Sequence, residues 1–180
     1  MPVADTFHFD NVVNIAAIIA LVTFFLKYVI DGYIGRRRNI RERRKMILAL
    51  YTEVKLNVDN LREDGGQIDF HDIAGFLAAS PQNAPHIVVF YYSDIYKSKF
   101  NTLSDLPDVL IKNIVQFYGE LEYIGLLAAS LTKPSFQVVS QRAREATIME
   151  LQKALAEALS GGTKLLGAFD LIMPRAPHRE

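Results

Sequence analysis

The sequence predicts an all-α protein: one N-terminal transmembrane helix followed by a small antiparallel bundle of three to five helices. Three observations predict it. Val12 to Ile30 is an apolar run, VVNIAAIIALVTFFLKYVI, closely followed by the basic run RRRNIRERRK. Leu110, Ile114, Phe117, Leu121, Ile124, Ala128 and Leu131 recur at alternating steps of four and three, the seam of a helix packed against near-parallel neighbours. The one β-prone stretch, His86 to Tyr92, has no second strand of similar quality to pair with.

The chain divides in order into five segments: a short extracytoplasmic tail (1–11), the transmembrane helix (12–30), a basic juxtamembrane segment (31–45), a cytoplasmic helical bundle (46–173) and a disordered tail (174–180). The first tail carries Asp5 and Asp10 and no Lys or Arg, unlike a secretory signal peptide. The 19 residues from Val12 to Ile30 make roughly 28 Å of helix, which just spans a bilayer core of about 30 Å. Asn14 and Lys27 lie near its two ends, and Tyr28 and Tyr33 suit an aromatic belt. Ala16 and Ala20 form a small-xxx-small pair of the kind that lets two helices approach closely.

Seven basic residues and one acid lie between Arg36 and Lys45. Lys27, Arg36, Arg37, Arg38, Arg41, Arg43, Arg44 and Lys45 therefore form a membrane-surface and topology set. By the positive-inside rule they put the N-terminus outside and the following domain in the cytoplasm, on the inner membrane. The same arginines could bind anionic headgroups. Of 20 basic and 20 acidic residues, 8 and 4 precede Met46, leaving a mildly acidic remainder of 12 against 16. That balance argues against a nucleic-acid partner. The chain has no Cys, so disulfides, thiolate metal sites and Cys nucleophiles are excluded.

Asp31, Gly32 and Gly35 suggest a break or bend just past the membrane, after which Arg36 to Leu61 reads as one helix. Ile40, Ile47, Val54 and Leu61 keep a heptad spacing, with Leu50 and Asn57 between them. Glu53 and Asn57 are four residues apart and share a face, and Asn57 interrupts the apolar seam. The choice is between a polar site in the bundle core and one buried polar residue that fixes helix register or simply hydrogen-bonds a loop. Gly65-Gly66 signals a turn, and Ile68 to Ala79 a short helix. His86 to Tyr92 is expected to be helical through tertiary context, continuing through Asp94 to Leu103.

Asp108 to Leu131 carries the clear seam, and Lys133-Pro134 ends it. Ser135 caps a second helix, Phe136 to Leu159, with Phe136, Val139, Ala143, Thr147, Leu151, Leu155 and Ala158 as its seam. Gly161-Gly162 closes that helix, and Thr163 to Met173 forms a last short one, on the bundle or on the membrane surface.

The anchor followed by ALxxEVxxN (Ala49 to Asn57) and LxxLPxxxxxxIxxFY (Leu103 to Tyr118) resembles a group of small bacterial single-pass membrane proteins with a cytoplasmic helical domain. The resemblance implies the architecture above and carries no activity for any residue.

No catalytic, cofactor or metal residue is assigned. The expected function is a non-catalytic, membrane-anchored scaffold or interaction module at the cytoplasmic face. Its partners are the lipid bilayer and other membrane-associated proteins or itself. An accessory subunit of a larger membrane complex is one alternative. The other is a metal-dependent hydrolase built on His71, Asp72 and Glu53, for which the HD pair is the only signal; His86 is the one further histidine that could join them. Glu120, Glu122, Glu145 and Glu150 are rejected as a carboxylate metal cluster, because neither hairpin helix contains His.

Overall fold

The structure is a computed structural model and describes residues 6–80 and 82–173, the side chains of 6–19 and 64–67 excepted. The side chains of Asn14 and Ala16, residues 1–5 of the N-terminal tail and the tail 174–180 lie outside what is described. Six α-helices and no strand are present among the described residues: α1 (Thr6–Gln67), α2 (Phe70–Ala79), α3 (Asp94–Lys99), α4 (Asp108–Leu131), α5 (Pro134–Val138) and α6 (Gln141–Ile172). A 3-10 turn, Phe100–Asp105, comes after α3. The chain divides into two compact units, Met1–Arg44 and Lys45–Glu180.

In the first unit the transmembrane expectation is corrected. Among the described residues no helix is long and apolar enough to cross a membrane. The side chains of Val12 to Ile19 lie outside the described set, and Ala20 to Ile30 is 11 residues, roughly 16 Å of helix, about half a bilayer core. An 18-residue window counted from Ala20 takes in four charges, Lys27, Asp31, Arg36 and Arg37. The single-pass, inner-membrane location inferred from that span falls with it. The expected break at Asp31 to Gly35 is also absent, since helical hydrogen bonding runs through. Gly32 and Gly35 cost about 1 kcal/mol each against Ala in a helix, too little to end one.

The second unit is a helical bundle. Leu50, Val54, Val58 and Leu61 of α1 pack with the seam of α4, whose seven predicted positions are all buried. α4 packs along α6, and α2 against α6. Tyr123 of α4 reaches Glu150 of α6, and Phe117 lies beside Gly162, so the two helices run antiparallel. The ring of Tyr51 meets that of Phe169 edge-on, with centroids 6.0 Å apart.

Two boundaries differ from expectation. Pro134–Val138 is a separate short helix, and α6 begins at Gln141, where the Ser140 hydroxyl accepts the Ala143 N–H. Arg144 and Ile148 are inside where Ala143 and Thr147 were expected, because alternating steps of three and four counted back from Leu151 reach 148 and 144. From Leu151 onward the two patterns coincide. Gly161-Gly162 does not end the helix, which continues to Ile172. A Cβ at Gly162 would lie 2.5 Å from Val58 Cγ2 and 2.6 Å from Phe117 Cε2. Glycine is needed there for the close approach of α1, α4 and α6, not for a helix stop.

Candidate functional site

Residues 84–93 form no regular element, although the sequence suggested helix. Burial nevertheless alternates along them with a period of two. Pro85, Ile87 and Ser93 are buried and Val89 and Tyr91 half-buried, while His86, Val88, Phe90 and Tyr92 are exposed. This is the side-chain pattern of a strand, as β-branched and aromatic residues favour. Without a second strand, its backbone groups need other partners.

Asn57 supplies two of them. Its Nδ2 donates to the Tyr92 carbonyl at 2.8 Å, and its Oδ1 accepts the Tyr92 N–H at 2.7 Å. A side-chain amide here takes the place of a neighbouring strand's peptide group.

Glu53, one turn earlier on the same face of α1, holds the start of α3. Its Oε2 accepts the Ile95 N–H at 2.7 Å and its Oε1 the Tyr96 N–H at 3.0 Å. These are the second and third N–H groups of α3, the pair an N-cap side chain normally serves. Ser93, at the cap position, makes no side-chain capping hydrogen bond. Glu53 therefore caps α3 from 42 residues away along the chain. A negative charge at a helix N-terminus is also favoured by the helix dipole.

Tyr118 of α4 completes the cluster, donating its hydroxyl to Glu53 Oε1 at 2.6 Å. Its ring stacks on Tyr96, with centroids 4.1 Å apart and planes 2° from parallel. Burial, reinforced by the bond to Glu53, raises the Tyr118 hydroxyl far above the ordinary tyrosine pKa. Tyr96 is also raised, first by burial and then by Glu122. Glu53 and Asn57 are 3% and 0% exposed. With three donors on its carboxylate, Glu53 has its acceptor capacity directed to structure.

Arg144 makes the matching arrangement at the other end of the segment, a role that sequence reasoning missed. It is 2% exposed. Its guanidinium donates to the carbonyls of Leu77, Ser80 and Asn83 at 3.2, 3.4 and 3.3 Å. Leu77 and Ser80 lie at the C-terminus of α2, where carbonyls lack helical partners and the dipole favours a cation. The available signal was a lone Arg one position from an assumed seam.

His71 and Asp72 are exposed on α2. Their backbone N–H groups donate to Asp69 Oδ1, an N-cap. His71 lines an open cleft of about 840 Å³ with Leu61, Phe70, Leu155 and Leu159, whereas Glu53 is committed to α3 and Tyr118. Among the described residues no three His, Asp or Glu side chains are grouped to hold a metal ion. Lys27 and the basic residues from Arg36 to Lys45 are all exposed, and the Arg37 guanidinium lies 4.8 Å over the ring of Tyr33.

Compared with protein-family models, with curated proteins and with solved structures, the chain matches none.

Proposed function

We propose that the chain is a non-catalytic helical interaction module that binds other proteins, or its own copies, through α1 between Ala20 and Lys45. The observation that carries this reading is the exposure of that stretch. Every residue in it is exposed except Gly35, which is half-buried. Leu21, Phe24 and Phe25 are 72%, 74% and 64% exposed, and Val22, Leu26, Val29 and Ile30 are each at least half exposed. Between Ala20 and Ile30 the helix is apolar but for Thr23 and Lys27, and an exposed apolar patch of this extent marks an interaction surface.

The basic run adds selectivity, since it favours a partner with an acidic face and speeds encounter with it. The mildly acidic remainder of the chain favours a protein partner over nucleic acid. The buried polar groups support a non-catalytic role, because Glu53, Asn57 and Arg144 are each spent on backbone groups of residues 77–96. An accessory subunit of a larger assembly would use the same surface.

The test replaces Leu21, Phe24 and Phe25 together by Asn in the full chain, then chemically crosslinks wild type and variant in cells. Wild type is expected to give a discrete, stoichiometric protein adduct, of its own copy or another protein. The variant should lose the adduct with its helical circular dichroism unchanged. A wild-type chain that yields no such adduct contradicts the reading.

A further inference from the structure

A second surface, separate from the α1 stretch, lies along residues 87–91. Their backbone N–H and C=O groups make no hydrogen bond with any described residue. The segment is held at both ends, by Asn57 at Tyr92 and by Arg144 at Asn83. Tyr91 is also packed against α4, where a Cβ on Gly125 would lie 3.3 Å from its ring. The run HIVVFYY has no charge, proline or glycine, so none of the usual devices protects it as an edge. Val88, Phe90 and Tyr92 are 47%, 69% and 51% exposed.

We infer that residues 87–91 pair with the same residues of a second copy of this chain, as two antiparallel strands related by a two-fold axis at Val89. The direction of the free edge is set by Tyr92. In a strand, successive residues turn their N–H and C=O groups to opposite edges. Tyr92 turns its pair toward Asn57, so Ile87, Val89 and Tyr91 turn theirs the other way. An axis at Val89 sets Val89 opposite Val89 and Ile87 opposite Tyr91, the positions that exchange hydrogen bonds. The closer, non-hydrogen-bonded pair is then Val88 with Phe90, a β-branched residue opposite an aromatic one, which is a favourable cross-strand combination. An uncharged β-prone strand of about five residues with a free edge of its own fits this edge. Among the described residues this segment is the one such stretch, and a two-fold contact satisfies both copies at once.

The test uses register. The chain has no Cys, so Val88→Cys and Phe90→Cys each introduce a single thiol at an exposed position. The two full-length variants are mixed and oxidised with diamide. Positions 88 and 90 would be about 4.5 Å apart between Cα atoms, within disulfide reach. Two copies of position 88 would be diagonal neighbours at about 7–8 Å, beyond it. The mixed disulfide is expected in several-fold excess over either self-disulfide. Phe90→Lys should abolish concentration-dependent dimerisation in sedimentation velocity, with helicity unchanged because the side chain is exposed.

Equal or absent disulfides, or a Phe90→Lys chain that dimerises like wild type, overturn the inference. If association instead survives Phe90→Lys and is lost with the Leu21, Phe24 and Phe25 replacements, the strand pairing fails and the α1 reading stands. A mixed disulfide in a chain whose α1 stretch binds nothing supports the pairing alone.

Discussion

Tyr118 donates its hydroxyl to Glu53 Oε1 at 2.6 Å, joining α4 to the carboxylate that caps α3. Replacing Glu53 by Gln keeps the shape and removes one acceptor oxygen. The amide NH2 must then face a donor, Ile95 N–H or the Tyr96 and Tyr118 donors. The expected loss is about 2–3 kcal/mol of stability, the range for an unmet buried donor or a lost charged hydrogen bond. Urea denaturation measures it. Faster amide exchange at Ile95 and Tyr96 would place the loss at α3.

The raised Tyr118 pKa makes stability fall in alkali. The neutral hydroxyl is favoured in the folded chain, and the unfolded value is about 10. Below pH 10 both states hold the proton and the contribution is constant. Above it the unfolded chain loses the proton first, so stability falls by up to about 1.4 kcal/mol per pH unit from this group. Absorbance titration of the 8 tyrosines should show one ionising only on unfolding, and Tyr118→Phe should remove it.

Asn57→Ala leaves the N–H and C=O of Tyr92 without their partner. A cost of about 2–4 kcal/mol is expected from the unmet groups and the lost packing. Limited proteolysis should find new cleavage within residues 84–93. Unchanged cutting would mean that Asn57 does not hold the segment.

Two glycines should respond with opposite sign. Gly162→Ala drives a methyl into Val58 and Phe117, at a cost of about 1–3 kcal/mol. Gly119→Ala meets nothing within 4 Å in the interior of α4 and should stabilise by about 0.5–1 kcal/mol. Thermal melts of both variants check the pair.

Arg144→Met removes the donors to Leu77, Ser80 and Asn83 and keeps most of the apolar stem. About 2–4 kcal/mol should be lost through the unmet carbonyls of α2, again by urea denaturation.

The helical class and the α4 seam were legible because a long amphipathic period states its own packing face. The seam from Leu110 to Leu131 is buried position for position. Glu53 and Asn57 could be singled out because they share a face and Asn57 interrupts such a seam, but their partners lie 35 to 65 residues away and leave no local signal. Gly161-Gly162 misled because glycine serves both helix ends and close crossings, and only the positions of Val58 and Phe117 decide between them. The apolar run after Val12 suggested a span. From Ala20 onward it is interrupted by Lys27 and Asp31 too soon to be one among the described residues.

The most direct test of the interaction role places a photo-crosslinking amino acid at Phe24, which is 74% exposed, in the full chain in living cells. Irradiation followed by mass spectrometry is expected to give one dominant protein adduct, either this chain or a single other protein, mapped to an apolar surface. Adducts to lipid alone, or no adduct, would contradict it.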